Sequence, residues 1–507
     1  MAGERRARYF NAPAPVGGWN ARDSIVTMPL SDAVKMENWY PYTTYAGVRL
    51  GSEDHVTGFS DDVETLASYN SGATSKLFAV AGGSIYDAST AGAVGAAVVT
   101  GLTNSRWQHA NFSAGGGDYL YMVNGVDKPR VYTGASWVAV DGASTPAITG
   151  VTTTTLSQVM AHQNRLWFIQ KNTLSVWYLA TSAIGGAATQ FPMQALFGRG
   201  GRLVAMGSWT LDSGSGMDDH AVFITSEGEV AVYQGTDPSS ASTWSLKGLY
   251  YIGQPVGDRA MAQYASDLLI VCRDGLQPMS KALASSRVTT QTSLTDKIQT
   301  AINEVIGLYS NSFGWEVCVY APGNLLILNV PVTNNKQQYV MNTVTGSWCK
   351  FTGWSANCFE VFNDKLYFGG ADAVTEAWTG TSDNGANINT EVIQAYSQMG
   401  YGALKSFRMA RPLLAMDATI GLSVGIETDY NISATLSAPT ISPSSYGVWD
   451  SSVWDAAIWG GDPEIRKEWI TVTGMGYSAA MHIRTATNNA VVNWYGTDYT
   501  FEVARGL

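Results

Sequence analysis

Charge is scarce in this chain: Asp, Glu, Lys and Arg together make up 14% of its 507 residues. A chain kept disordered by charge is excluded, because 45% of the residues are hydrophobic and a composition of that kind buries a core. Cations are scarcer still, with 30 Lys plus Arg against 41 Asp plus Glu and a formal charge of -11. That sign excludes a chain-wide basic footprint for gripping nucleic acid. Cysteine is nearly absent. Cys272, Cys318, Cys349 and Cys358 include no Cys-x-x-Cys pair and are too few to staple a chain of this length, so they are expected as reduced, buried thiols. Long apolar runs are missing too, none approaching the ~18 residues of a membrane span. Between Met1 and Asn20 the chain carries Glu4, Arg5, Arg6 and Arg8 and then a Pro and Gly rich stretch, with no apolar segment of a secretory signal. The expectation is a soluble protein made in the cytoplasm, without membrane insertion.

Catalytic constellations are also lacking. The histidines, His55, His109, His162, His220 and His482, are dispersed and show no metal-ligand spacing. There is no Gly-x-Ser-x-Gly elbow and no phosphate loop ending in Gly-Lys-Ser or Gly-Lys-Thr. Gly198-Arg199-Gly200-Gly201-Arg202 reads as a solvated turn before a strand at Leu203 to Met206, rather than as a nucleic-acid patch. Asp61-Asp62 and Asp218-Asp219 read as exposed turn aspartates. A glycosidase would need two carboxylates held ~5 to 10 Å apart across a cleft, which scattered turn residues do not establish. No enzyme, cofactor or metal site is expected.

What the chain does have is 53 glycines, 11% aromatic residues and a repeated unit. A polar residue, a strand of Leu, Tyr, Phe, Trp or Val, and a Gly or Asn turn are followed by a second apolar strand. Copies include Lys76 to Val80 with Gly82-Gly83, Tyr119 to Val123 with Asn124-Gly125, Arg165 to Ile169, Ala221 to Ile224 with Gly228, Asp267 to Val271 with Asp274-Gly275, Asn324 to Leu328, and Lys365 to Phe368 with Gly369-Gly370. Starts at 76, 119, 165, 221, 267, 324 and 365 lie 43, 46, 56, 46, 57 and 41 residues apart, close to the ~40 to 50 of a four-stranded propeller blade. The fold class is therefore all-β, a β-propeller of six or seven blades with six favoured. A β-sandwich or several small β-domains is the competing architecture. The propeller is placed at residues 60–385, an N-terminal arm at 1–59, and a further β-rich domain at 386–507, with the arm packing on that domain or on neighbouring subunits.

Two stretches carry a helical pattern. Ser293-Leu294-Thr295-Asp296 resembles a capping box ahead of a stripe at Ile298, Ala301, Ile302, Val305 and Ile306. Ser31 to Trp39 shows a shorter version, with Ser31 as its cap. Asp141 to Leu156 reads as an exposed connection, and Asp383 to Asn389 as the exit from the repeats. Trp449-Asp450, Trp454-Asp455 and Trp459-Gly460 recur every five residues, a spacing of neither a helix face nor a strand face, and suit a loop anchor or a subunit contact.

Several motifs resemble one family. Gly17-Gly18-Trp19-Asn20-Ala21-Arg22-Asp23-Ser24, Met28-Pro29, Asp32-Ala33, Glu37-Asn38-Trp39-Tyr40-Pro41 and Val48-Arg49-Leu50-Gly51 resemble the opening of the tail hub or nozzle proteins of short-tailed phages. These are also described as packaged-DNA stabilisation or tail tubular B proteins. Thr225 to Pro238, Met341-Asn342-Thr343 to Trp348 with Phe351-Thr352-Gly353-Trp354, Trp449 to Gly460 and Asn493 to Asp498 extend the likeness along the chain. The resemblance implies a virion tail protein, a propeller-bearing subunit of a homohexameric ring below the head-to-tail adaptor ring and near tail fibres or spikes. Such a ring retains packaged DNA and then conducts it, touching duplex DNA transiently and without sequence preference. It implies no catalytic residues. Candidate interface residues are Arg5, Arg6 and Arg8 of the basic arm, with Trp19, Trp39, Trp449, Trp454 and Trp459. The rival readings are a carbohydrate-binding or carbohydrate-cleaving propeller of the virion, favoured by a carboxylate pair of raised pKa beneath an aromatic platform, and a monomeric cytoplasmic scaffold.

Overall fold

The computed structural model describes residues 7–503 apart from 73, 213–216, 285–292, 419, 433–435, 439–463 and 466–467. Among the described residues, seven groups of three or four antiparallel strands follow one another along the chain, the sixth as part of a nine-stranded sheet. Blade 1 is Val63–Ser71, Thr74–Ala81 and Ser84–Asp87. Blade 2 runs from Gln108–Ala114 through Gly117–Val123 and Arg130–Tyr132 to Trp137–Ala139. Blade 3 begins at Leu156–His162, blade 4 at Leu203–Asp212 and blade 5 at Met261–Tyr264. Blade 6 is Glu316–Tyr320, Leu325–Val330, Gln337–Asn342 and Trp348–Phe351. Blade 7 is Cys358–Phe362, Lys365–Gly369 and Ala373–Ala377.

The first strand of each blade packs on the first strand of the next, and Cys358–Phe362 packs back on Val63–Ser71. The sheets therefore form a closed ring, a β-propeller. The count is seven, one above the six favoured from sequence. All seven repeat copies fall on the second strands of the blades, from Thr74–Ala81 to Lys365–Gly369. Neighbouring blades cover both faces of these strands, so they need no polar alternation. Leu325–Val330 is buried at every position.

Apolar side chains fill each gap between blades, and the core between blades 6 and 7 runs on into the second domain. Between blades 1 and 2 it is Tyr69, Phe78 and Ile85 against Trp107, Leu120 and Met122. Between blades 7 and 1 it is Cys358, Phe362 and Tyr367 against Val63, Leu66 and Leu77. Blade 5 has three strands, and the helix Gln299–Tyr309 covers its gap with blade 6, burying Ile302, Val305 and Ile306. That is the expected stripe. Ser293 does not cap this helix; its hydroxyl accepts from the Thr295 amide and donates to the Leu276 carbonyl, steadying the turn before it.

Ser52–Thr57 completes the ring. It pairs antiparallel with Ala373–Ala377, Val56 opposite Val374, as the outer strand of blade 7. The last part of the stretch read as an N-terminal arm is thus propeller. Val56 is buried in the gap shared by blades 7 and 1. Val56→Asp should therefore lower unfolding free energy by about 3–4 kcal/mol, since it places an unpaired charge where the ring closes; urea denaturation followed by tryptophan fluorescence measures this.

The second domain is two facing sheets built from both ends of the chain. In one, Lys405–Met416 pairs with Val492–Val503, which in turn pairs with Arg8–Pro13 and with Ala46–Val48. In the other, Asp32–Glu37, Ile388–Gln394, Ala479–Thr487 and Gly421–Thr428 lie side by side. Asp32–Glu37 also meets blade 6 in parallel, Glu37 opposite Lys350, so propeller and second domain share a continuous sheet. This corrects the helix expected over Ser31 to Trp39. The segment lies between two strands and makes ladders on both sides, and tertiary pairing overrides a short local pattern.

A buried cation locks the junction. Arg49, with no exposed side-chain surface, uses all five of its N–H donors: Nε to Asn38 Oδ1 (2.9 Å), Nη1 to the Leu50 carbonyl (2.9 Å) and Asp383 Oδ1 (2.9 Å), Nη2 to the Thr352 carbonyl (2.7 Å) and Asp383 Oδ2 (2.6 Å). Its guanidinium lies over the Trp354 ring at 4.8 Å. Asn38, in the left-handed region at φ 57, joins the same group by donating to Thr352 Oγ1 and the Asn389 carbonyl. The four cysteines are free thiols, and burial pushes Cys272 and Cys358 up to about 12.

Candidate functional site

The structure separates the residues proposed as an interface. Arg8 stands exposed on the strand Arg8–Pro13, its guanidinium 4.3 Å from the centre of the Tyr401 ring, which leaves it on the surface. Trp19 is half-buried and packs edge-on against Tyr339 at 5.2 Å. Trp39 is 0% exposed, against Trp494 at 6.1 Å in the core of the second domain. As a core residue it presents no surface to a partner, because its indole fills the space between the two sheets. Arg5, Arg6, Trp449, Trp454 and Trp459 lie outside the described residues.

The most developed site is one that sequence reading passed over. Residues that precede or open the first strands of blades 2 to 6 line the mouth of the ring's axis. Arg106 precedes blade 2, Arg202 precedes blade 4, Arg259 precedes blade 5, and Phe313 precedes blade 6. They surround a cavity of about 290 Å³, and a second of about 270 Å³ shares Arg106, Arg202, Val204, Asp258 and Phe313 with it. Two guanidinium groups approach the Phe313 ring, Arg106 at 4.3 Å and Arg259 at 5.6 Å from its centre.

Arg259 forms the floor of the mouth. Its Nη2 donates to Thr65 Oγ1 (2.7 Å) and the Glu64 carbonyl (3.0 Å) of blade 1, and to the Trp107 carbonyl (3.1 Å) ahead of blade 2. Its Nη1 faces Glu316 of blade 6 at 3.5 Å. One side chain thus ties blade 5 to three others. Below it Glu316 accepts from the Phe359 amide (3.0 Å), and burial pushes its carboxyl up from the usual range. Glu360 receives the Ser68 hydroxyl at 2.6 Å and stands 3.4 Å from His109 Nε2, filling the axis further.

The other cations at the mouth are less committed. Arg106 pairs with Glu64 at 3.0 Å while remaining half exposed. Lys171, from blade 3, is exposed and reaches the Gly125 carbonyl at 3.4 Å. Arg202 is exposed, and among the described residues its guanidinium has no hydrogen-bond or ion-pair partner. The two arginines of the glycine turn therefore differ. Arg199 lies over the Tyr251 ring at 4.5 Å with its amide held by Glu229, and Arg202 faces the axis. A cation one or two residues ahead of the first strand in blades 2, 4 and 5 was the available signal, visible only once the repeats are aligned on that strand.

Elsewhere the titratable groups serve packing. Asp61 accepts from the Asp62 amide in an exposed turn, and Asp219 accepts from Thr210 and Gln163. His482, 2% exposed, sits between Glu427 (2.7 Å) and Glu391 (3.0 Å). His162 is buried against Ser208, and burial lowers it to about 4. No group of three or more His, Cys, Asp or Glu side chains among the described residues could hold a metal ion.

Neither a protein-family model nor a curated protein matches the chain. Among solved structures, BBS1N in complex with ARL6DN is similar at TM-score 0.40 and 11% identity, over 66% of this chain and 99% of that one. The dihydro-heme d1 dehydrogenase NirN aligns at TM-score 0.36 and 12% identity, over 61% and 64%. YCF48 bound to D1 peptide aligns at 0.35 and 11%, over 70% and 99%. These distant likenesses carry no function to this chain, and its architecture rests on the closed ring of sheets itself.

Proposed function

We propose that this chain is a virion structural protein, the nozzle or hub subunit of a short-tailed phage tail. Copies of it form a channel below the head-to-tail adaptor that retains packaged DNA and conducts it during ejection. The observation that carries this reading is the convergence of the two ends of the sequence. The opening motifs resemble tail hub proteins, and so does Asn493 to Asp498. These segments meet where Trp39 packs on Trp494, and the strands flanking the opening motifs pair with the same end, Ala12 opposite Thr497 and Gly47 opposite Asn493. Phe351 to Trp354, another part of the likeness, supplies the partners of Arg49 at the junction. Thr225 to Pro238 in blade 4 and Met341 to Trp348 in blade 6 carry the likeness into the propeller as well.

Two physical points support the reading. The propeller axis is filled by Arg259, Glu316, Glu360 and His109, so a duplex would pass between copies of the chain and not through one propeller. A net charge of -11 keeps such a wall from holding phosphates, and a conduit needs sliding more than affinity. The carbohydrate-cleaving alternative draws on the raised Glu316 beneath Phe313, but that carboxylate is sealed behind Arg259, and Asp258 is the one carboxylate among the described residues lining the cavities.

Negative-stain images and native mass measurement of the purified chain test this. Six-fold rings, with no tight duplex binding in moderate salt, are expected. A monomer at every concentration, or hydrolysis of a host polysaccharide, would overturn it.

A further inference from the structure

We propose that the axial mouth of the propeller is a binding site for a small, multiply charged phosphate-bearing molecule. Arg106, Lys171 and Arg202 come from three separate blades, yet all are exposed on one pair of adjoining cavities. Like charges converging from independent elements repel one another unless anions sit among them, and Glu64, paired with Arg106, and Asp258 offset only part of the three charges. In a chain of net charge -11 this grouping is not a by-product of a basic surface.

The lining also selects the ligand class. Asn104, Gln108, Asn172 and Ser226 add amides and hydroxyls, so the walls offer hydrogen bonds more than apolar area. Guanidinium groups present paired donors that match the oxygens of a phosphate. Arg202 has no described partner to give up, so binding there breaks nothing. Arg106, whose side chain is 54% exposed, can turn toward the cavity at the expense of a pair that solvent weakens. Arg106 and Arg259 already stand 4.3 and 5.6 Å from the centre of the Phe313 ring, so a base stacking there would compete with them. A cavity of about 290 Å³ has room for pyrophosphate or a sugar phosphate and none for a duplex. Arg259 holds the floor in place and lends its positive field without being displaced.

Titration calorimetry of the full chain with sodium pyrophosphate at low ionic strength tests the site, with sodium citrate as the carboxylate arm. Saturable one-to-one binding of pyrophosphate is expected, tighter than that of citrate. Arg202→Glu should weaken it at least about tenfold, the loss of a charge-assisted contact turned into repulsion. Arg199→Glu, three residues earlier and turned onto Tyr251, should leave it unchanged. Both positions are exposed, and unaltered thermal melting of each variant establishes that the fold is intact. Absence of saturable binding, equal weakening by the two variants, or tighter binding of citrate would each overturn the proposal. The site stands apart from the tail reading, and ring formation and pyrophosphate binding can fail independently.

Discussion

Arg259→Ala is expected to destabilise the protein by about 3–5 kcal/mol, because it leaves Glu316, whose side chain is only 16% exposed, beside the axis without its cation. The substitution also removes the donors that Thr65 Oγ1 and the Glu64 and Trp107 carbonyls now accept, and each of those groups lies on a different side of the ring's mouth from blade 5. The loss should therefore reach beyond one blade. Hydrogen exchange should rise in the first strands of blades 1, 2 and 6 together. The sign with pH follows from Glu316, whose carboxyl burial already pushes up. Without Arg259 its pKa in the folded state rises further above the unfolded value. A carboxyl of that kind penalises folding where it would be ionised in the unfolded chain, so the deficit should be larger near about pH 8 than near about pH 5. Replacing the pair together, Arg259→Met with Glu316→Leu, should recover most of the loss, since two apolar side chains leave no uncompensated charge. Denaturant titrations of the parent, the single variant and the double variant at the two pH values measure these differences. A single variant as stable as the parent would show that the axial tie contributes nothing.

Arg49→Lys should cost a similar amount, about 3–5 kcal/mol, although it keeps the charge. The guanidinium fills five donor positions in one plane, and an ammonium offers three donors from a single point. A lysine at this position would leave the Asn38, Leu50 or Thr352 acceptors short of partners and forfeit the stacking on Trp354. Because Arg49 joins the chain leaving the second domain to the loop between blades 6 and 7 and to Asp383, its loss should also uncouple the two units. Calorimetry is expected to turn one transition into two, or broaden it. Asp383→Asn, which keeps one acceptor oxygen opposite the guanidinium, should fall between the parent and the lysine variant.

Much of the propeller was legible in the residues. All seven second strands carry the repeated apolar run, and the stripe from Ile298 to Ile306 predicts the helix that covers blade 5. The favoured count of six fell one short, although seven copies of the unit can be read. Blade 7 borrows its outer strand from Ser52–Thr57, a stretch of mixed polar residues with no sign of the repeat. The helix expected over Ser31 to Trp39 gives way for a related reason. Ala33, Met36 and Trp39 are all buried, and nine residues of apolar spacing fit a short helix as well as a strand until the neighbouring strands are known. Trp39 reads as an interface candidate from sequence because it lies in a stretch outside the repeats; pairing of the two ends of the chain buries it.

The sequence by itself determined the class of fold, the position of each blade's second strand and the acidic balance. These are properties of short windows, since a strand covered on both faces must be apolar at nearly every position. Only the tertiary structure decided how the ring closes, which strands the two ends supply to the second domain, and that Arg106, Lys171 and Arg202 face one cavity while Arg259 ties the axis beneath them. Ser52–Thr57 and Ala373–Ala377 are far apart in the chain, and edge strands expose similar backbone donors and acceptors, so local composition does not choose between partners. The cations likewise lie in separate repeats, at positions where a lone arginine before a strand has the composition of an ordinary turn. Their meaning comes from the circular packing of the blades, which brings the start of every first strand to the same axis.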